Sequence, residues 1–404
     1  MRILFTNTGP WGTGSFTLAK ALAESFENLG HEIKIFFPDK KLDTPDQKEF
    51  YQNKSRYQIW PFPLNNGEAS IDFFPLMIPD PHPRNPVGNT FSELSEKQLS
   101  LYLNSFEREV TALIEDYKPD VIECQHIWAM DHIIQKLGYP YLCTAHHSDQ
   151  MGFRFDERMR KSAIKSAQSA EYIFAISEYV KKDVMDLYDI ESKKVIVIEN
   201  GYDQKMFLPK KVDRKSVLKK LNIEIPEGEF VVSFAGKISK TKGIDVLLKA
   251  NKLLPKGANI HFIICGSGEI QDVIGGESRA NFSFKRMHFV GHQTPENLSE
   301  IHNISDISVL PSRSEGFGIA CLEAMGCGRP MVFTDSGGMS DYAVGKKIPI
   351  ENPELLKEGL LQMKGTSKEE MQKLSLKAHL VAKEFSWEKI AKKRLQYYEH
   401  VLSR

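Results

Sequence analysis

A chain of 404 residues is too long for one small core and has the length of two α/β domains of ordinary size. Its 53 basic and 53 acidic residues cancel to no net charge, which gives no footing for a nucleic-acid partner. The five cysteines, Cys124, Cys143, Cys265, Cys321 and Cys327, are scattered in apolar runs without C-x-x-C spacing, which predicts reduced core thiols in a cytoplasmic protein. The apolar run Ile3 to Phe5 is too short for a signal peptide, and no stretch approaches the length of a membrane span.

Met1 to Thr6 has the pattern of a short buried strand, and the glycine-rich turn Asn7 to Ser15 opens a helix carrying Ala19, Leu22, Ala23 and Phe26. Gly30 ends that helix and Ile33 to Phe37 begins the next strand, so the chain starts as the β-α-β unit of a doubly wound domain. Gly12 and Gly14 would let the backbone approach a phosphate or a sugar; glycine turns of this kind are equally common without a ligand. From Pro38 to about Gly88 the chain is polar, aromatic and proline-rich without a sustained period, which predicts loop with short structured pieces. Trp60, Phe62, Phe73, Phe74 and His82 either shape an acceptor pocket there or pack the loop onto the domain.

A helix is expected from Ser92 to Tyr117, then a strand at Val121-Ile122 with Gln125-His126 just beyond it. Pro140 to Ala145 makes a further strand that delivers His146, His147, Ser148 and Asp149 to its C-terminal end, the edge at which open parallel sheets bind ligands. A single histidine at such an edge is more often structural than catalytic, which weighs His126 toward structure and leaves His146 open to either role. Arg154, Arg158, Arg160 and Lys161 follow on a helix with Asp156 and Glu157 interleaved, a pattern that favours a solvated face over a membrane-binding one. The charged stretch Pro209 to Lys215 is the expected linker.

The alternation then restarts. Phe230 to Ala235 is a strand, and Gly236 to Gly243, with Lys237, Lys240 and Lys242, turns into a helix carrying Ile244, Leu247 and Leu248. Ammonium groups at a strand-to-helix turn suit a pyrophosphate, and the alternative is a lysine-rich surface turn. His261 to Cys265 runs into Gly266-Ser267-Gly268, and Met287 to Val290 into Gly291-His292. Ile307 to Leu310 is a strand ended by Pro311, followed by Glu315-Gly316-Phe317-Gly318, a helix from Ile319, and a strand at Met331 to Phe333 leading to Gly337-Gly338. This order aims a helix N-terminus, with unpaired N–H groups, at the crevice where an anion binds. Two glutamates, Glu315 and Glu323, would repel phosphate there, so they are expected to accept hydrogen bonds from hydroxyls. A ligand with both phosphates and hydroxyls, such as a sugar nucleotide, meets both demands.

Glu315 and Glu323, separated by seven residues inside PSRSEGFGIACLEAMGCGRP and followed by Gly337-Gly338, resemble the signature of the GT-B glycosyltransferases of the large retaining family four, the glycosyl transferases group 1. The resemblance extends over nearly the whole chain and is weakest between Pro38 and Ser92. It implies an α/β fold of two doubly wound Rossmann-like domains facing a cleft. Residues 1–208, completed by a C-terminal helix at about 388–404, would form the acceptor side, and residues 209–387 would bind the nucleotide sugar. It further implies Glu315 beside the donor sugar and Glu323 on the ribose, with Gly316, Phe317, Gly318 and Ile319 turned toward the diphosphate. Lys237 and Lys242 would stabilise the leaving diphosphate, although arginine is usual where Lys237 stands and lysine lacks its bidentate fork. His146-His147-Ser148-Asp149 matches the family's histidine that contacts the donor sugar, with His147 its partner or merely its neighbour. Gly12 and Gly14 would face the donor site, Gly266 would lie at the crevice edge, and Gly291 with His292 beside the nucleotide base.

The activity so implied is transfer of a glycosyl group, with retention, from a nucleotide diphosphate sugar to a hydroxyl of a small-molecule, glycan or lipid-linked acceptor. UDP is favoured by family frequency, with GDP and ADP open. No Asp-x-Asp occurs in the chain, so no metal bridging the diphosphate and no cofactor beyond the donor substrate are expected. A sugar-nucleotide epimerase, a phosphorylase and a catalytically silent sugar-nucleotide-binding protein are the alternatives. Acceptor-independent change of the donor, phosphate dependence, or binding without turnover would distinguish them.

Overall fold

Short apolar strands alternating with amphipathic helices assemble into two parallel sheets, in a computed structural model that describes residues 1–40, 52–80 and 85–403. His82 lies outside the described residues. The chain divides into a first unit, Met1–Asn200 with Trp387–Arg404, and a second, Gly201–Ser386. The division falls before the boundary expected after Leu208 because the intervening residues pack into the second unit. Tyr202 and the Phe207 carbonyl lie against Gly326, and the Ser299 hydroxyl donates to the Met206 carbonyl at 2.8 Å.

In the first unit the strands are β1 (Arg2–Asn7), β2 (Glu32–Asp39), β3 (Tyr57–Pro61), β6 (Val121–Gln125), β7 (Tyr141–Ala145), β8 (Ile173–Ala175) and β9 (Val195–Val197); β4 (Leu64–Asn65) and β5 (Ser70–Ile71) form a separate antiparallel pair. The sheet runs β3-β2-β1-β6-β7-β8-β9, so the winding reverses between β1 and β6 and opens a crevice at their C-terminal ends. Helices cover both faces, which is why β6 and β7 are buried at every position instead of alternating. The helix Gly14–Asn28 lays Leu18, Leu22 and Phe26 into one cluster with Ile3 and Phe5, and the C-terminal helix Trp387–Leu402 adds Ile390 and Tyr398. Each such buried side chain contributes about 1.5–3 kcal/mol.

The proline-rich stretch yields its aromatic side chains to packing. Trp60 donates to the Ser105 hydroxyl at 3.0 Å and stacks edge-on to Tyr102, while Phe62 packs on Phe74, and all four rings are buried. The helix expected from Ser92 begins at Glu96, because Ser95 and Gln98 cap each other reciprocally there and a separate 3-10 turn takes Phe91–Glu93.

The second unit carries β10 (Phe230–Ala235), β11 (Ile260–Cys265), β12 (Met287–Gly291), β13 (Ile307–Leu310), β14 (Met331–Thr334) and β15 (Gly345–Ile348) in the order β12-β11-β10-β13-β14-β15, all parallel. It is again a doubly wound sheet, with its reversal between β10 and β13. The lysine-bearing loop and the glutamate-bearing loop are the two that leave that switch point. Asp213 caps a helix at Arg214–Lys220, so the tail of the expected linker is the first turn of that helix. All five cysteines are free and buried. Among the described residues no helix is long and apolar enough to cross a membrane.

Candidate functional site

At the switch point of the second unit the loop after β10 and the loop after β13 are pressed together. Gly243 makes this contact possible: its φ is +69°, and a Cβ there would stand 1.9 Å from the Pro311 carbonyl oxygen. Arg313 ties the same loops from the side. Its backbone N–H donates to the Thr241 carbonyl at 2.8 Å, its guanidinium holds the buried Asp245 through two bonds of 2.8 and 2.7 Å, and its Nε meets Glu351 at 2.7 Å.

This frame brings Lys242 to Glu315. The ammonium lies 2.6 Å from Glu315 Oε1, which also accepts from the Ser312 hydroxyl at 2.8 Å, and the carboxylate is 7% exposed. The Glu315 backbone is anchored in turn to Ser336 at 2.7 Å, next to Gly337. Glu315 is therefore no solvated glutamate at a helix start. It is a buried acceptor whose charge is balanced by one lysine.

The helix Ile319–Gly326 starts on Gly318, which has φ +90° and no room for a Cβ beside the Met339 side chain, and no side chain caps its first turn. The loop before it is held from behind: the Tyr342 hydroxyl lies 2.8 Å from the carbonyls of Phe317 and Gly318, and the Phe317 ring packs on Tyr342 and Phe385. The Phe317 side chain is thus engaged in packing, which leaves its backbone and that of half-buried Gly316 as what this loop can offer a ligand. Glu323 follows inside the helix, partly exposed. Burial, with the charge of Asp203 adding to it, pushes its carboxyl up to about 8. A carboxyl raised from its ordinary range favours the fold while protonated, and that contribution is lost as pH rises through about 8. Glu323→Gln is accordingly expected to melt above the parent at pH 9 and close to it at pH 5; equal melting at both would show that the carboxyl is not held protonated.

The remaining glycines of this sheet edge divide by cause. Gly266 is required by backbone approach, since a Cβ would sit 1.8 Å from the Gly236 carbonyl, and the loops of β10, β11 and β12 are stapled there through Gly236 N to Cys265 O at 3.0 Å and Gly266 N to Gly291 O at 2.9 Å. Gly291 has φ +71° with open space around it, and His292 beside it is exposed. Lys237 is half-buried in the same loop as Lys242.

In the first unit, Gly12 takes φ +84°, whereas Gly14 opens the helix with nothing within 4 Å of a Cβ, so only the first is demanded by the turn itself. His126 and His146 follow β6 and β7, with ring centroids 4.7 Å apart. Asp149 fixes both loops, accepting from the backbone N–H of Ile127 and of His146 at 2.9 Å each. His146 Nε2 lies 2.9 Å from Gln125 Oε1, and burial, then the proximity of His126 and Arg394, holds the imidazole well below its ordinary range and so neutral. His147, at φ +74°, turns toward the Asp183 and Tyr179 side and not onto the His146 ring's partners. The basic helix that follows is engaged with its own unit: Arg154 pairs with Asp183, Arg160 with Glu157, and Arg158 donates to the Leu94 carbonyl.

Arg313, Asp245, Ser312, Tyr342 and Gln125 were not singled out from sequence. Arg313 and Ser312 stand inside the motif stretch itself, but nothing in the chain announces a partner 68 residues away. Asp149 had a signal, the His-His-Ser-Asp run, although its task of bridging two strand ends is visible only in the fold.

Two family models match consecutive stretches of the chain, Glycosyltransferase Family 4 over residues 12–205 and Glycosyl transferases group 1 over residues 218–382. The chain belongs to this family of GT-B glycosyltransferases. Among curated proteins it is 26% identical to a D-inositol 3-phosphate glycosyltransferase of Salinispora tropica, over 80% of this chain and 73% of that one, and 24% identical to an uncharacterized glycosyltransferase of Methanocaldococcus jannaschii, over 70% and 75%. The fold is similar to sucrose-phosphate synthase from Thermosynechococcus elongatus (TM-score 0.74, 18% identity, 100% of this chain and 99% of that one) and to Anabaena HepE in complex with UDP and glucose (TM-score 0.74, 15% identity, 99% and 100%).

Proposed function

We propose that this glycosyltransferase moves a sugar, with retention and without a metal, from a nucleotide diphosphate sugar, UDP-linked in the first instance, to a hydroxyl of a small-molecule, glycan or lipid-linked acceptor. The observation that carries the reading is the buried Glu315–Lys242 pair at the switch point, next to an uncapped helix N-terminus. A fixed ammonium and a row of N–H groups suit a diphosphate gaining charge as the glycosidic bond breaks, and a buried carboxylate acceptor suits a sugar hydroxyl. In this reading Lys242 and Lys237 take the diphosphate, Glu315 and His146 the sugar, Glu323 the ribose, and Gly316 to Ile319 present backbone to phosphate. Gly12, Gly14, Gly266 and Gly291 with His292 are assigned to the donor as well. UDP is favoured because the similar HepE fold was solved with UDP and with UDP-glucose. No cofactor beyond the donor is invoked, and the protein is assigned to the cytoplasm.

Thermal shift without added metal, against UDP-, GDP-, ADP- and dTDP-sugars, tests the donor assignment. A UDP-sugar is expected to raise Tm by several degrees at saturation and Glu323→Ala to weaken that shift. Stabilisation by another nucleotide alone would overturn the UDP assignment, and none by any nucleotide sugar would overturn the donor site. Turnover of donor without acceptor, or only with phosphate, would replace transfer by epimerisation or phosphorolysis.

A further inference from the structure

Beneath His146 lies a polar network that the transfer reading does not use. Glu123, in the middle of β6, is fully buried and forms an ion pair with Arg394 of the C-terminal helix, which is fully buried too. Glu123 Oε1 accepts from Arg394 Nη1, from the Thr144 hydroxyl at 2.6 Å and from Gln125 Nε2 at 2.7 Å, and Oε2 accepts from the Tyr398 hydroxyl. Arg394 Nη1 also reaches Thr144 Oγ1 at 2.8 Å and the guanidinium lies over the Phe174 ring, yet its Nε and Nη2 are buried with no hydrogen-bond partner. Stability alone does not explain such a residue, because apolar side chains replace a buried ion pair at little or no cost. Its consequence lies one bond further on.

A carboxylate can only accept, so Gln125 must turn its NH2 group toward Glu123, and its carbonyl oxygen then faces His146 Nε2. An amide oxygen also can only accept, so Nε2 must carry the proton. In a neutral imidazole that leaves Nδ1 with a lone pair. We infer that Glu123 and Arg394 act through Gln125 as positioning residues that hold His146 as the Nε2–H tautomer, with Nδ1 the hydrogen-bond acceptor for a sugar hydroxyl. The assignment of His146 to the sugar rests on the function proposed above; the tautomer does not. Arg394 enters because it balances Glu123. Its Nη1 donates to the same Glu123 oxygen that takes the Gln125 NH2 group and holds that oxygen in place, so without the guanidinium the amide loses its fixed anchor and is free to turn over, which lets His146 sample the Nδ1–H form.

The test is a long-range 1H–15N correlation spectrum of full-length protein labelled with 15N-histidine, with His146 assigned by the signal lost in His146→Gln. The parent is expected to show the Nε2–H tautomer, and Gln125→Leu and Arg394→Met each a mixture of the two. A parent in the Nδ1–H form, or a Gln125→Leu protein that keeps Nε2–H unmixed, would overturn the inference, and neither result depends on whether Arg394→Met folds. With a turned-over donor, Gln125→Leu is further expected to lower kcat about tenfold while donor KM stays within about twofold. If the parent turns over no donor at all, the transferase reading falls, and the spectra still decide the tautomer.

Discussion

Lys242→Ala and Glu315→Ala are each expected to lower kcat/KM by about 10³, and the double variant to be little worse than either. The pair acts as one unit, with 2.6 Å between ammonium and carboxylate, so removing either member displaces the other. Without Lys242 the carboxylate keeps only the Ser312 hydroxyl and, under the proposed function, would repel the donor's diphosphate. Without Glu315 the ammonium loses the partner that aims it. The two losses differ in stability: Lys242→Ala strands a buried charge at a cost of about 3 kcal/mol, while Glu315→Ala leaves a lysine that can reach water. Steady-state kinetics with melting curves on all three proteins separate these effects. Additive losses in the double variant would mean that the two residues act independently, and a single variant within about threefold of the parent would remove that residue from the reaction.

Gly243→Ala should have the second largest effect, without touching a charged group. At φ +69° an alanine is strained, and its Cβ meets the Pro311 carbonyl at 1.9 Å, so the two loops must part. A cost of about 3 kcal/mol is expected, together with weakened donor binding, because Lys242 precedes this residue and Arg313 lies two places beyond Pro311. Gly14→Ala is the contrast. Nothing lies within 4 Å of its Cβ and its φ is not positive, so its melting temperature should stay at the parent's or rise slightly. Equal melting of Gly243→Ala and the parent would show that the loops are not pressed together in solution.

These two glycines mark how far the chain could be read unaided. Both stand at helix starts in glycine-rich turns, and from sequence both invite the same description. One is required by a carbonyl from a loop 68 residues away in the chain, and the other is required by nothing in the fold.

What the sequence by itself determined is what depends on neighbours along the chain. Strand and helix alternation, the two doubly wound units, the strand ends that carry His146 and Glu315, and the glutamate-spaced motif are local patterns, each legible from hydrophobic period and turn residues. The start of the helix at Glu96 was legible in the same way, in the Ser95–Gln98 cap, and was overrun. Only the tertiary structure decided which loops meet. Lys242 and Glu315 are 73 residues apart, Arg313 and Asp245 are 68, and Arg394 and Glu123 are 271, and each pair is joined because strand order places their loops or helices side by side. The charge state of a site belongs to that second level as well. Glu323 is pushed up to about 8 and His146 well below its ordinary range by burial first and neighbouring charge second, and burial is a property of the packed chain.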